Sequence, residues 1–163
     1  MKAAVLTVSD RVSRGEADDV SGDTLEQLLL ADGFEVLRRL VPDERAKIAR
    51  AVVDLAADAA LVLTTGGTGL ASRDVTPEAT QSVLERSAPG IAEAIRSGSA
   101  AKTPHAMLSR GIAGSIGSSL VVNLAGSPGA CRDGYAVLRP ALTHALELLA
   151  GPSDAAGHAP AST

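Results

Sequence analysis

Residues 60–80 read ALVLTTGGTGLASRDVTPEAT, and the fold turns on this stretch. Ala60–Thr64 is a short apolar run that reads as a buried strand, and it leads straight into Thr65-Gly66-Gly67-Thr68-Gly69. Consecutive residues without Cβ let the backbone fold into a concave nest of N–H groups that suits an anion. Thr76-Pro77-Glu78 then reads as a helix start, with Thr76 as N-cap, proline at the first helical position and an acid in the first turn. Such a helix N-terminus adds positive potential. The loop is not a Walker A motif, because residues 64–80 contain no lysine. It also fails the dinucleotide fingerprint, because after Gly67 and Gly69 the third glycine position holds Ser72.

Outward from this loop, strand and helix patterns alternate. Upstream, Ala3–Val8 reads as a strand ending at Ser9-Asp10, and Thr24–Ala31 as a helix with Leu25, Leu28 and Leu29 on one face. Phe34–Val41 follows as a strand stopped by Pro42, then Glu44–Asp58 as a helix with Ile48, Val52 and Leu55 in one stripe. Downstream, an amphipathic segment surrounds Ile91, Ala94 and Ile95. Ile112–Ile116 and Leu120–Leu124 read as strands flanking a Gly-Ser turn, and Gly126-Ser127-Pro128-Gly129 opens a last helix striped by Leu138, Leu142, Leu146 and Leu149. The alternation predicts a single α/β domain over residues 1–150, a three-layer sandwich around a mostly parallel sheet. From Gly151 to residue 163 the Gly/Pro/Ser/Ala-rich tail is expected to lack structure.

Composition narrows the function. A chain of 163 residues is most simply one domain, and 45% hydrophobic with 21% charged residues is a globular balance. The aromatic residues are Phe34 and Tyr135, too few for the stacking platforms of single-stranded nucleic-acid binders. A net charge of −4 also disfavours a nucleic-acid partner. No apolar run approaches the ~18 residues of a membrane span, and the N-terminus lacks a signal-peptide layout. Cys131 has no second cysteine to pair with. A soluble, cytoplasmic protein is the expectation. His105, His144 and His158 show no metal-ligand spacing, and Cys131, without a histidine partner, reads as a helix-packing residue.

In a parallel sheet, ligands bind beyond the carboxyl ends of the strands. Here those ends carry Ser9-Asp10, Pro42-Asp43, the glycine loop with Asp74, and Asn123 with Gly126-Ser127. Asp43 or Asp74 alone could be a helix cap or a solvated acid. Two carboxylates facing a phosphate-sized nest are what Mg²⁺ takes, with water and phosphate oxygens completing its shell. Ser127 before Pro128 offers either plain capping or a second anion contact. Asn123 could face a heterocycle edge or tie down a loop. Arg110 could grip a phosphate or lie on the surface.

With these residues gathered, the chain resembles the molybdopterin adenylyltransferase and molybdopterin-binding family of the MoaB/Mog type. The resemblance covers almost all of residues 3–150. It rests on LTVSDR at 6–11, VPDE at 41–44, LTTGGTG at 63–69, SRDVTPEAT at 72–80, MLSRG at 107–111 and NLAGSPGA at 123–130. It implies a trimeric α/β protein acting late in molybdenum cofactor synthesis. There the terminal phosphate of molybdopterin attacks the α-phosphate of ATP, releasing pyrophosphate with Mg²⁺ present. Carried over by motif, Asp43 and Asp74 are the essential acids and metal ligands. Gly66, Gly67, Thr68 and Gly69 hold the nucleotide phosphates, and Ser9, Ser109, Asn123, Gly126 and Ser127 surround the pterin. Contact with a molybdenum-insertion protein is also implied. The family usually shows N-L-P-G where this chain has Asn123-Leu124-Ala125-Gly126. Some members bind the pterin without clear adenylylation, and that is the alternative function. A nicotinamide-binding Rossmann enzyme is disfavoured by Ser72 and by the placing of Glu85 and Glu93 inside predicted helices.

Overall fold

Six strands form from the apolar runs: β1 Lys2–Val8, β2 Glu35–Val41, β3 Leu61–Thr65, β4 Arg86–Ser87, β5 Ala113–Ile116 and β6 Ser119–Leu124. They make one sheet in the order β2-β1-β3-β6-β5-β4 in a computed structural model that describes residues 1–151. The expected tail falls otherwise on residues 152–163, outside the described residues. β2, β1, β3 and β6 pair in parallel. β5 runs against β6 and β4 against β5. The β5–β6 hairpin closes on two residues, and Gly117 takes the positive φ of +52° that the first central position of a II′ turn requires.

The helices are α1 Asp10–Ser13, α2 Val20–Ala31, α3 Arg45–Asp58, α4 Thr76–Gln81, α5 Pro89–Ala100 and α6 Pro128–Ala150, with a 3₁₀ helix at Pro104–Leu108. Side chains alternate across the sheet, so β1 sends Ala3 and Val5 to one face and Ala4, Leu6 and Val8 to the other. The first face packs on α2, α5 and α6 through Leu25, Leu29, Ile95, Leu138, Leu142 and Leu146. The second packs on α3 and α4 through Ile48, Val52, Leu55 and Ala79. Both faces are covered, which is why β1, β3 and β6 read as continuous apolar runs. Each fully buried leucine or isoleucine contributes about 1.5–3 kcal/mol. With so few aromatics, alanines at the interfaces bring helix and sheet close together. Tyr135 is buried and donates its hydroxyl to Asp32 at the end of α2.

The edge strand β2 is half exposed and carries charge. Arg38 reaches from it to Asp19, Asp23 and Glu26, tying it to α2. Charged edges of this kind discourage intermolecular strand pairing. Among the described residues no helix is long and apolar enough to cross a membrane.

One expectation is corrected. Thr76 is the first residue of α4, not its cap, and Val75 in the cap position supplies no side-chain bond. The Thr76 hydroxyl donates instead to the carbonyl of Gly66 at 2.9 Å. The loop it closes outweighs the helix end it could have capped, because an unpaired loop carbonyl near the sheet would otherwise go unsatisfied.

Candidate functional site

The carboxyl ends of the four parallel strands bring Ser9-Asp10, Asp43, the glycine loop and Ala125-Gly126 together. Gly66 and Gly67 hold left-handed conformations, with φ of +98° and +65°. A Cβ on Gly66 would stand 2.2 Å from the Val8 carbonyl oxygen, and one on Gly67 would stand 2.3 Å from Thr76 Oγ1. The loop is therefore restricted to glycine by both conformation and space.

Its carbonyls are held from behind. Gly66 O accepts from Thr76 Oγ1 and Gly67 O from Thr76 N. Thr68 O accepts from Arg110 N at 2.8 Å, and Gly69 O from Arg110 Nε at 2.8 Å. Arg110 Nη2 reaches the Asp74 carbonyl at 2.7 Å, and Nη1 pairs with Glu78. The N–H groups of Gly67, Thr68 and Gly69 meanwhile donate to no acceptor among the described residues. Carbonyls pinned by Thr76 and Arg110, with the N–H groups left free, fit an anion nest. Arg110 thus acts as a clamp on the loop.

Asp43 could have capped α3, yet Glu44 occupies the cap position and makes no side-chain bond there. Asp43 turns instead to Asp10. Each backbone N–H donates to the other's carboxylate, Asp10 N to Asp43 Oδ2 at 2.8 Å and Asp43 N to Asp10 Oδ1 at 3.0 Å. Arg73 grips Asp10 through Nε at 2.7 Å and Nη2 at 2.9 Å. The Arg73 guanidinium holds Asp10 below the usual carboxylate range. Burial pushes Asp43 up, reinforced by the charges of Asp10 and Asp74. Asp43 Oδ1 has no hydrogen-bond partner among the described residues and faces Gly67, where an added Cβ would stand 3.0 Å away. Asp74 is anchored by accepting from Ala71 N at 3.0 Å through Oδ2.

Two cavities flank this arrangement, of about 670 Å³ and about 350 Å³, and share Gly67, Asp74 and Gly126 along a common wall. The smaller holds Ser9, Asp10, Asp19, Asp43 and Gly66. The larger runs from Thr68 and Gly69 to α5 and the 3₁₀ helix, with Ser109, Asn123 and Ser127 on its walls. Ser9 therefore lies with the acids, apart from Ser109, Asn123 and Ser127, while Gly126 borders both cavities. Ser9 and Ser127 cap α1 and α6, accepting from Val12 N and Ala130 N. The Asn123 carboxamide is engaged within the fold. It donates to Thr64 and Thr80 and accepts from Ile112 N, so it ties β6 to its neighbours at the cleft wall. The Ala125 carbonyl accepts from Thr65 Oγ1 at 3.0 Å and Cys131 Sγ at 3.4 Å, which fixes this peptide without a proline ring.

Sequence reasoning did not assign roles to Asp10, Arg73 or Arg96. For Asp10 a signal existed, its place at a strand end like Asp43. For Arg73 and Arg96 there was none, because their partners are 63 and about 15 residues away in sequence.

Fold and site together define a three-layer α/β protein with a nest of unbonded N–H groups at the carboxyl edge of its sheet, beside a pair of acids. The chain belongs to the molybdopterin-binding domain family of molybdenum cofactor biosynthesis: the family model described as a probable molybdopterin binding domain matches residues 4–144. A molybdopterin adenylyltransferase of Helicobacter pylori is 38% identical over 152 residues, covering 90% of this chain and 86% of that protein. A molybdenum cofactor biosynthesis bifunctional protein of Synechococcus elongatus is 40% identical over 151 residues, covering 91% of this chain and 47% of that protein. The crystal structure of the molybdopterin biosynthesis enzyme MoaB from Thermus thermophilus superposes with a TM-score of 0.85 at 46% identity, covering 93% of this chain and 97% of that one.

Proposed function

We propose that this chain is a molybdopterin adenylyltransferase, joining the terminal phosphate of molybdopterin to the α-phosphate of ATP. The observation that carries the reading is the nest of three unbonded N–H groups, with Asp74 at the junction of two cavities and Asp43 in the smaller one beside Gly67. A reaction between two phosphate-bearing molecules needs two adjoining pockets that meet where the phosphates meet. In the transfer a pterin phosphate oxygen forms a bond to the α-phosphorus, the bond from that phosphorus to the β-bridging oxygen breaks, and pyrophosphate leaves. Gly67, Thr68 and Gly69 N–H groups stabilise charge on the phosphoryl oxygens, and the rigid loop orients them. Such transfers are carried mainly by positioning and electrostatics.

The acids fit a divalent cation of a particular kind. Among the described residues no cluster of three or more metal-ligating side chains exists. Two carboxylates suffice for Mg²⁺ when phosphate oxygens and water complete the shell. Asp43, with a free oxygen and a raised pKa among like charges, is a carboxylate that gains from a nearby cation. Mg²⁺ would screen the phosphate charge, held by Asp43 and Asp74 once the nucleotide is present.

The test is pyrophosphate release by purified protein given molybdopterin, ATP and Mg²⁺. Asp74→Asn should lower the rate by about 10²–10³-fold, on the scale of one lost charge-stabilising group, with Tm close to wild type. Pterin binding with no pyrophosphate release from the wild type would identify a binding module instead. We also place the chain in a homotrimer, as the family resemblance implies. Sedimentation should return three times the 16.4 kDa of one chain. This chain covers 47% of a Synechococcus relative named as a bifunctional protein of molybdenum cofactor biosynthesis, which supports a second protein of that pathway as partner; the family resemblance implies one that inserts molybdenum.

A further inference from the structure

Three side chains able to carry positive charge line the larger cleft: Arg96, Lys102 and His105. Lys102 is neutralised by Asp133, and the His105 ring nitrogen Nδ1 lies 3.5 Å from Thr103 Oγ1. Arg96 differs, since it forms no ion pair among the described residues. Its Nη1 donates to the carbonyls of Gly111 at 2.7 Å and Ser109 at 3.4 Å. Its Nε and Nη2 donate to nothing among the described residues. Neither donor is buried, since the buried side-chain atoms left without a partner among the described residues are Glu78 Oε2 and Ser119 Oγ, so this edge of the guanidinium stands open in the cleft with two parallel N–H groups for a ligand to meet.

We propose that Arg96 is a phosphate-binding residue of the larger cleft, presenting its Nε/Nη2 edge to two oxygens of a substrate phosphate. The planar fork matches phosphate geometry bidentately, and guanidinium sheds water more readily than ammonium. Anchoring Nη1 to two carbonyls fixes the side chain in advance, which lowers the entropic cost of engaging a ligand. The anchor is also well placed, because residues 109 and 111 flank Arg110, the clamp on the glycine loop. One short segment thus connects the α5 wall of the cleft to the nest opposite. The phosphate belongs either to the pterin or to ATP, an assignment that rests on the adenylyltransferase reading, whereas the anion site itself does not.

Ligand pairs differing by phosphate separate the cases. Arg96→Gln keeps a donor for the two carbonyls but removes the charge and the fork, and Arg96→Lys keeps the charge alone. Dissociation constants are measured on the full chain for molybdopterin and its dephosphorylated form, ATP with adenosine, and inorganic pyrophosphate. Arg96→Gln should weaken the phosphorylated member of one pair by about tenfold or more, leaving the other member within about twofold. Arg96→Lys should fall between, and the pair that responds names the phosphate. Equal weakening of both members, or no change in either pair, overturns the proposal by assigning Arg96 to loop support alone. If the wild type binds neither substrate, the adenylyltransferase reading falls and pyrophosphate decides. Weaker binding by Arg96→Gln sustains the anion site, and unchanged or undetectable binding overturns it.

Discussion

Asp43 is a side chain that the fold holds at a cost, and the proposed chemistry supplies a reason for it. Burial and the charges of Asp10 and Asp74 oppose its ionisation, so its folded pKa lies above the ordinary 3.8. A carboxylate with a raised pKa favours the folded state when protonated, and that contribution is lost as pH rises through the folded pKa. At neutral pH the ionised group therefore weakens the protein. Asp43→Asn, which can still accept from Asp10 N, should raise Tm at neutral pH, and the gain should narrow as pH falls toward 3.8. A pH series of melting curves for the two proteins checks this, and the same variant should lose about 10²-fold or more of its adenylyl-transfer rate. Asp10 behaves oppositely. Arg73 depresses its pKa, so its contribution is present above 3.8 and is lost as pH falls through the folded value. In the sequence both acids looked alike, each an aspartate just past a strand. Only the reach of Arg73 across the site separates a neutralised acid from one left with a free oxygen.

At the scale of elements, the loop after β3 and the start of α4 act as one unit, closed by Thr76 and Arg110. Arg110 satisfies the carbonyls of Gly69 and Asp74 and pairs with Glu78, whose other oxygen, Oε2, is buried without a partner. Arg110→Ala should therefore cost about 1–3 kcal/mol of stability. If the loop binds the nucleotide as proposed, releasing its carbonyls should raise KM for ATP as kcat falls. Arg110→Lys should recover part of each, since an ammonium reaches fewer of these acceptors at once. Melting curves alongside steady-state kinetics separate the two effects. The glycine loop was legible because its conformation is written in local chemistry, three glycines among the five residues 65–69. The clamp was not, because it lies 41 residues downstream of the carbonyl it holds. The same contrast divides β5 and β6, readable from their own apolar runs and turn, from β4. That strand is two exposed residues, Arg86-Ser87, whose extended state comes only from pairing with β5. The single-turn helix α1 likewise escaped a pattern search, being shorter than one hydrophobic repeat.

Across the whole molecule, Cys131 reports on the integrity of the sandwich. It is buried between α6 and the sheet, and burial pushes its thiol up to about 11. Modification by a thiol reagent at neutral pH should be about 100-fold or more slower in the native protein than in denaturant, since both thiolate and access are lacking. Labelling as fast as in the denatured chain would contradict the packing described. The sequence by itself determined the layers: periodicity of two and 3.6 residues, with apolar runs covered on both faces, is a local property that each segment carries alone. It also gathered the candidate site residues at one edge, because the ends of parallel strands share it. Only the tertiary structure decided what each polar residue there does. Asn123 binds the fold together, Thr76 closes the loop, Arg110 holds it, and Arg96 keeps donors free. Those roles depend on partners brought close by the sheet, and a hydrogen bond between distant residues leaves no periodic trace in the chain.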